Sequence, residues 1–391
     1  MARYRRTAYS FLSCHEIGFV DVELLLRGVV EPAQLQQLVG VSALTAEPQP
    51  LSEAELQLFL RTPTAAWREP DDGELAVSEA LARKGLLVSD ADGDEQLAEL
   101  RRRDELLAGQ QWHPFAALYH FLTRWRGQNV WHELSDAELA EAAAEIEGWG
   151  PPPPPFHSRG GAAVPLPAPA RDGPLHDLLL RRRTTRGFDR ERAMTAQELG
   201  VVLASTFGCH GYLPLGSDLV VLRKTSPSGG GLHPTEAYPL VRDVDGVEPG
   251  LYHYDVARHA LEPVAALPAA DVSELAVRLA AGQPYAGDAH ALVVLTSRFG
   301  RNFWKYRQHD RAYAVLLMDA GHLSQTFYLV CADLGLGAFV TAAINGADAE
   351  EALGIDGFNE GAIALCGCGP PGPESPLDPP FLPFVPGETI L

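Results

Sequence analysis

The chain has 391 residues, more than one ordinary hydrophobic core accommodates, and its length predicts two domains. Lysine and arginine number 31 against 51 aspartates and glutamates, and the net charge of -20 disfavours nucleic acid and anionic membranes as partners. No apolar run is long enough to span a bilayer, and acidic residues interrupt the N-terminus before a signal-peptide core can form. We therefore expect a cytoplasmic protein whose five cysteines are reduced.

The first domain is predicted to cover residues 1–150 and to begin with short helices. Ser52 and Glu55 form a capping box that opens a helix through Leu60, and a second helix fits residues 73–84. A strand at residues 86–88 and a polar turn follow, which together predict a small winged-helix-like domain.

The charge of this domain argues against DNA as its ligand. From Leu51 to Leu100 there are four basic residues against twelve acidic ones. We therefore expect a domain that docks a peptide or a protein partner, and a purely structural role stays open. A second capping box, Ser135 to Glu138, predicts a helix that runs to Trp149.

A linker separates this domain from the rest of the chain. Residues 151–174 start with five consecutive prolines and continue with proline and glycine, which neither a helix nor a central strand tolerates. The second domain is predicted at residues 175–370, and a proline-rich C-terminal arm follows at residues 371–391.

The second domain mixes helices and strands without a strict βαβ rhythm. Helices are predicted after the Thr195 to Glu198 cap and at residues 271–281 and 311–334. Strands are predicted at residues 219–222, 238–241, 250–254, 291–295, 338–340 and 362–365. This order favours an α+β fold in which helices cover a mixed sheet.

Two segments have the composition of a site for an anionic, flat ligand. Arg181 to Arg186 place four guanidinium groups and two hydroxyls within six residues, the groups that grip a phosphate, although a solvated charge run is an equal alternative. Ser226 to Pro234 contain three consecutive glycines, whose backbone can approach a ligand closely, although alone they are more simply a flexible turn.

Other candidate groups are weaker. Lys305 and Tyr306 stand side by side before the long helix and can act as proton acceptor and donor, although a solvated helix approach is the simpler interpretation. Cys366 and Cys368 have no second pair at zinc spacing, so no metal site is predicted.

In this order the motifs resemble the FMN-dependent nitroreductase superfamily and, within it, the SagB-type dehydrogenases that mature ribosomal peptides. The resemblance covers residues 175–370. It implies an FMN cofactor, a homodimer with shared FMN sites, and a C-terminal arm that wraps the partner subunit. It also implies that the segment Gly231 to Tyr238 is the SagB-like version of the loop after the glycines.

The resemblance assigns roles to individual residues. The phosphate clamp would comprise Arg182, Arg183, Thr184 and Arg186. Pro227, Ser228 and Gly229 would lie against the flavin ring across the dimer interface, and Thr341 and Ala342 near its N5 edge. One departure is that Cys368 is followed by Gly-Pro-Pro-Gly instead of a basic residue, so either the arginine cluster suffices or Arg298 or Arg301 assists.

The resemblance implies oxidation of an azoline ring to an azole in a modified precursor peptide, with a cyclodehydratase as a possible partner. Lys305 and Tyr306 match the catalytic pair of azoline-oxidising members, and Tyr306 or a neutral Lys305 would remove the proton alpha to the carbonyl as hydride leaves for the flavin. Three alternatives stay open: oxidation at another peptide position, reduction of nitro compounds or quinones with NAD(P)H, and a non-catalytic flavin-binding scaffold. A transcriptional regulator ranks last because of the acidic first domain.

Overall fold

The computed structural model describes residues 2–19, 27, 33–45, 47–131, 135–151, 153–157, 159–160, 164, 166–167, 172–215, 219–373 and 377–382. We call residues 2–151 the N-terminal half and residues 172–382 the C-terminal half. No helix among the residues described is both long enough and apolar enough to cross a bilayer.

The N-terminal half combines a small sheet with helices. Its strands are β1 (Tyr4–Arg6), β2 (Ser10–Phe19), β3 (Ala33–Ser42), β4 (Gln49–Pro50) and β5 (Leu87–Ser89). Its helices are α1 (Glu53–Arg61), α2 (Leu75–Arg83), α3 (Glu95–Gly109), α4 (Pro114–Leu122) and α5 (Asp136–Gly148). Strands β2, β3 and β4 form one antiparallel sheet, and β1 pairs with β5.

Both capping boxes of this half form as predicted. Ser52 caps α1 and Ser135 caps α5, each with its glutamate three positions later. Strands β1, β2, β3 and β4 and helices α3 and α4 have no counterpart among the elements predicted from the sequence. Helix α5 has no buried residue.

The C-terminal half contains most of the regular structure. Its helices are α6 (Pro174–Arg181), α7 (Ala196–Phe207), α8 (Ala269–Leu279), α9 (Phe299–Tyr306), α10 (Ala312–Asp333) and α11 (Gly346–Leu353). Its strands are β6 (Met194–Thr195), β7 (Gly211–Leu215), β8 (Leu219–Arg223), β9 (Thr235–Val241), β10 (Val244–Asp245), β11 (Gly250–Asp255), β12 (Ala260–Ala266), β13 (Ala291–Arg298), β14 (Gly337–Thr341) and β15 (Glu360–Gly369).

Six of these strands form the central sheet in the order β12-β11-β9-β13-β15-β14. Every pairing within it is antiparallel, and the parallel pairing of the described chain joins β6 to β10. Strand β13 is buried from Ala291 to Ser297, which explains its nearly continuous apolar sequence. Helix α10 packs on this sheet through Leu323, Phe327 and Cys331, and the predicted α+β class is confirmed.

The cysteines of the sheet belong to its core. Cys331 on α10 and Cys366 and Cys368 on β15 are all fully buried. Burial raises the pKa of the Cys366 thiol, so this thiol stays protonated.

An aromatic cluster joins the two halves. The Trp112 side chain is 0% exposed, and its ring centroid lies 4.6 Å from that of Phe299 and 4.7 Å from that of Phe303, both on α9. The backbone N–H of Gln308 donates to the carbonyl of Gln111 at 2.7 Å. The N-terminal half therefore contacts the face of α9 that carries Phe299 and Phe303, and it also bonds to the chain just after the C-terminal end of α9.

A polar strap reinforces this junction. Arg124 pairs with Glu350 at 2.6 Å, and the Gly127 N–H donates to Asp348 at 2.7 Å. Burial raises the pKa of Glu350 to about 7, because removal from water outweighs the attraction of Arg124. Because Glu350 and Asp348 lie on α11, the strap ties the N-terminal half to the helix that precedes β15.

Trp112→Ala is expected to lower the free energy of unfolding by about 3–5 kcal/mol, since it removes a large, fully buried ring from a packed cluster. Urea unfolding followed by far-UV circular dichroism measures the change. Trp149→Ala is the matched control because Trp149 is 72% exposed, and it should change stability little. An equal, small effect of both variants would show that the aromatic cluster does not hold the halves together.

Candidate functional site

The arginine cluster lies where α6 ends and the chain crosses to the edge strand β14. Arg182 is the C-terminal cap of α6, and the N–H of Thr185 donates to the carbonyl of Ala338 on β14 at 2.7 Å. Arg183 is exposed. The cluster is therefore fixed to the sheet by its backbone at Thr185.

Tyr328 on α10 gathers two of the predicted clamp residues. The Thr184 hydroxyl lies 3.0 Å from the Tyr328 hydroxyl, which accepts the Val340 N–H at 3.1 Å. The Arg182 guanidinium lies 5.3 Å from the centroid of the Tyr328 ring. Arg182 and Thr184 thus meet at one aromatic side chain that the sequence did not single out.

Arg186 faces a carboxylate of its own chain. Its backbone N–H donates to Asp378 at 2.5 Å, and its guanidinium lies 3.1 Å from the other oxygen of that carboxylate. The guanidinium also donates to the Leu377 carbonyl at 3.0 Å and lies over the ring of Tyr285. The group predicted to hold a phosphate therefore already holds an anion.

The described part of the C-terminal arm lies against its own subunit. The Gly372 N–H donates to the Gly187 carbonyl at 2.9 Å, and Asp378 reaches Arg186 as above. Residues 374–376 and 383–391 lie outside the described residues, and wrapping of a partner subunit by the arm stays a prediction. The first part of the arm returns along the segment that follows the arginine cluster.

A chain of hydrogen bonds runs from the Arg186 side to the predicted flavin edge. The Tyr285 hydroxyl donates to Gln283 Oε1, and the Gln283 amide donates to the Thr341 hydroxyl oxygen at 3.2 Å. That oxygen also accepts the N–H of Ala343 at 3.1 Å. Thr341 is buried and Ala342 is exposed, so only Ala342 of this pair is open to a ligand.

The glycine loop lies between β8 and β9, and its geometry requires glycine. Gly230 has a φ of 63°, in the left-handed region. A Cβ there would lie 2.5 Å from Lys305 Nζ and 2.8 Å from the Tyr306 hydroxyl oxygen. Both polar groups of the predicted catalytic pair therefore converge on one point of the loop.

The two members of the pair differ in exposure. Lys305 is exposed, Tyr306 is half-buried, and Lys305 Nζ lies 5.4 Å from the centroid of the Tyr306 ring. Both belong to the last turn of α9. Tyr306 lies on the same face as Phe299 and Phe303 and packs against the aromatic cluster that contains Trp112, whereas Lys305 lies on the other side of the helix. The pair thus stands at the end of a helix that the N-terminal half anchors.

Asp319 on α10 binds the glycine loop through hydrogen bonds. Its carboxylate accepts the Ser228 hydroxyl at 2.5 Å and the Gly229 N–H at 3.2 Å, and Ser228 Oγ accepts the His233 N–H at 3.0 Å. Burial raises the pKa of Asp319, and the hydrogen bonds from Ser228 and Gly229 oppose that rise. Burial also lowers the pKa of His233 to about 4, so a neutral ring donates from Nε2 to the Leu222 carbonyl.

The two arginines considered as substitutes for the missing basic residue are engaged elsewhere. Arg298 pairs with Glu236 at 2.7 Å, and Arg301 donates to the carbonyl of Leu232. Within the described chain, neither guanidinium is connected to Arg186 by a hydrogen bond or an ion pair. Both instead lie beside the glycine loop.

These contacts divide the candidate residues into two groups along α10. The clamp group consists of Arg182, Thr184 and Arg186, of which Arg182 and Thr184 contact Tyr328. The loop group consists of residues 228–230 with Lys305 and Tyr306, and Asp319 binds Ser228 and Gly229. Nine residues of an α-helix span about 14 Å and make about two and a half turns, so Asp319 and Tyr328 face opposite sides of α10. A single protomer therefore presents the two groups on opposite faces of one helix.

Asp319, Tyr328, Gln283, Tyr285 and Asp378 are site residues that sequence reasoning missed. Only Asp319 carried a usable signal, because it is a lone carboxylate on the apolar face of a predicted helix. The others follow from contacts between segments far apart in sequence.

Comparison with known proteins gives the family. The model of the nitroreductase family matches residues 179–369, close to the range expected from the motifs. MJ1384, a nitroreductase-family protein of Methanocaldococcus jannaschii, is 32% identical over 184 residues, which is 46% of this chain and 84% of that protein.

Two relatives come from Rhizobium leguminosarum bv. trifolii. The trifolitoxin-processing protein TfxB is 34% identical over 148 residues, which is 37% of this chain and only 38% of TfxB. The trifolitoxin operon protein TfxC is 27% identical over 287 residues, which is 69% of this chain and 75% of TfxC.

Among solved structures, a chain of the E. coli microcin synthetase McbBCD complex, determined with truncated pro-MccB17 bound, shares the fold. The TM-score is 0.50 and the identity 21%, over 72% of this chain and 100% of that chain. Because the family model covers the sheet and its helices, and because this chain spans most of a relative that is 32% identical to it, the chain belongs to the nitroreductase family.

Proposed function

We propose that this protein is an FMN-dependent dehydrogenase that matures a ribosomally made peptide, and that its reaction is the oxidation of an azoline ring to an azole. The observation that carries the proposal is the convergence of Lys305 Nζ and the Tyr306 hydroxyl on Gly230 of the glycine loop. A base beside a backbone that a flat ligand can approach closely is what such an oxidation requires.

The clamp group fits the phosphate end of FMN. Arg186 offers a guanidinium and a backbone N–H to one anion, which in this structure is the carboxylate of Asp378. Arg182 and Thr184 add a cation and a hydroxyl beside it at Tyr328. A bound phosphate would replace the Asp378 carboxylate as the partner of Arg186. Bound FMN would supply the two-electron oxidant that the chain's own side chains lack.

The separation of the two groups supports a homodimer with shared sites. One flavin cannot meet both groups of a single protomer if they face opposite sides of α10, but it can meet the clamp group of one subunit and the loop group of another. Leu317 and Met318 on α10 are 42% and 56% exposed, and Leu175, Leu179 and Leu180 on α6 are also exposed. An apolar surface of this kind favours contact with a second copy.

The case for a peptide substrate rests on the relatives and on the N-terminal half. TfxB is named for trifolitoxin processing, and TfxC is named as a trifolitoxin operon protein. The N-terminal half lies outside the range that the family model matches, and it contacts α9, the helix that carries Lys305 and Tyr306. We propose that a precursor peptide, with a modifying enzyme such as a cyclodehydratase, binds there.

The proposed chemistry of the pair is proton removal. The Lys305 amine in its neutral form, or Tyr306 as a phenolate, accepts the proton from the ring carbon alpha to the carbonyl. The ring loses two hydrogens, one as this proton and one together with the electron pair that the oxidant takes up. Lys305 and Tyr306 act as alternatives for one role because both reach the same point of the loop.

A small-molecule reductase is the second candidate, because MJ1384, of which this chain covers 84%, carries a nitroreductase name. Rapid reduction of the bound flavin by NADH or NADPH with no peptide present would favour this candidate. Flavin reduction only by the peptide would favour the dehydrogenase.

Asp378→Asn is expected to tighten FMN binding by up to about fivefold, since an ion pair that is partly exposed is worth no more than ~1 kcal/mol and the variant releases Arg186 from it. Quenching of flavin fluorescence on titration measures the affinity. Asp245→Asn, at an exposed residue of β10, is the matched control and should bind FMN as the natural protein does. Weaker binding by Asp378→Asn would mean that Asp378 orients Arg186 for the phosphate instead of competing with it.

Lys305→Ala and Tyr306→Phe together are expected to lower the oxidation rate of a synthetic thiazoline-containing peptide by about 100-fold or more, since general base catalysis typically contributes 10²–10⁴. Loss of two mass units in air and flavin bleaching without oxygen are the two measurements. Tyr212→Phe, which alters an exposed tyrosine of β7, serves as control. Unchanged signals in the double variant would refute the proposed role of the pair.

A further inference from the structure

We propose that Asp319 is a positioning residue that fixes the segment Pro227 to Gly231 against Lys305 and Tyr306. This inference rests on the function proposed above and deepens it, because it names what holds the loop group together.

Asp319 occupies an unfavourable place for a carboxylate. It is 3% exposed and lies on the face of α10 that also buries Leu316, Ala320 and Leu323. His322, one turn further along α10, is the titratable group whose charge favours the ionised form, and no ion pair to Asp319 occurs in the described chain. Burial of an acid costs several kcal/mol unless hydrogen bonds compensate, so its bonds to the loop are what make this carboxylate tolerable.

Both oxygens of the carboxylate are used by the loop. Oδ2 accepts the Ser228 hydroxyl and Oδ1 accepts the Gly229 N–H. Ser228 Oγ then accepts the N–H of His233, so one carboxylate controls both the start and the end of the loop. An asparagine could keep the Gly229 bond only by turning its NH₂ group toward Ser228, so the serine hydroxyl would lose its acceptor and the loop its original hydrogen-bond pattern.

The same hydrogen bonds give the Ser228 side chain a structural role, whereas the family resemblance placed this residue against the flavin. Its hydroxyl hydrogen goes to Asp319 and one lone pair receives the His233 N–H. The hydroxyl therefore shapes the loop and is not free to bind a ligand through its proton. What the loop offers to a ligand is its backbone, from Pro227 to Gly230.

The loop has no room to shift without disturbing the pair. On one side a Cβ at Gly229 would lie 2.2 Å from Val315 Cγ1, four residues before Asp319 on α10. On the other side the Gly230 position adjoins Lys305 Nζ and the Tyr306 hydroxyl. The loop backbone is thus held between α10 and α9. The hydrogen bonds to Asp319 fix its position between the two helices.

The test compares Asp319→Asn with Asp333→Asn in the FMN-loaded protein. Asp333 is an exposed carboxylate near the end of the same helix, so the control makes the same chemical change outside the loop contact. We expect Asp319→Asn to alter the visible circular dichroism of bound FMN and to lower kcat for the thiazoline peptide by about 100-fold, the effect of a misplacement near 1 Å. KM and FMN affinity should change little, because the clamp group is remote from Asp319.

A double-variant cycle with Ser228→Ala tests the route of the effect. If Asp319 acts through Ser228, the double variant should be no worse than Asp319→Asn alone. Where Asp319→Asn does not fold, Ser228→Ala by itself should change the flavin spectrum in the same direction. A natural flavin spectrum and kcat in Asp319→Asn, or equal losses of kcat and FMN affinity, would overturn the inference.

Failure of the proposed function would be visible separately. If the natural protein binds no FMN or does not oxidise the peptide, the function proposed above is wrong. Amide hydrogen exchange at Gly229 to Gly231 in the flavin-free protein then decides the role of Asp319. Exchange should be faster in Asp319→Asn than in the natural protein and in Asp333→Asn, and equal rates in all three would refute the inference.

Discussion

The packing of Trp112 against α9 is the contact on which the candidate site depends. Helix α9 has only eight residues, too few to be stable in isolation, so its position must come from what it packs against. Phe299 and Phe303 bury one face of it on the N-terminal half, and the Gln308 to Gln111 bond fixes the chain just after it. The N-terminal half is thus part of the support for Lys305 and Tyr306.

Helix α10 is the second element on which the site depends, because it carries the residues that contact both groups. Its buried Asp319 and half-buried Tyr328 hold the loop group and the clamp group on opposite faces. The net charge of -20 makes a local cation cluster valuable to an anionic ligand. Within this cluster, Arg186 already pairs with a carboxylate of the chain, that of Asp378.

The predictable parts of the fold are those with local causes. The capping boxes at Ser52, Ser135 and Thr195 place three helices correctly, because a cap is satisfied by residues three positions away. Strand β13 was predicted from its apolar run. Strands β2 and β3 were missed because their sequences alternate weakly, and their pairing with each other supplies what the local pattern lacks.

By itself the sequence determined the α+β class, the family, and the residue types of the site, because motif order and residue chemistry are local properties. Only the tertiary structure decided which of these residues meet. Asp319 and Ser228, Tyr328 and Thr184, and Arg186 and Asp378 are each separated by roughly 90 or more positions, so no spacing rule relates them. Their contacts arise because α10 and the arm pack against segments that precede them by many residues in the sequence.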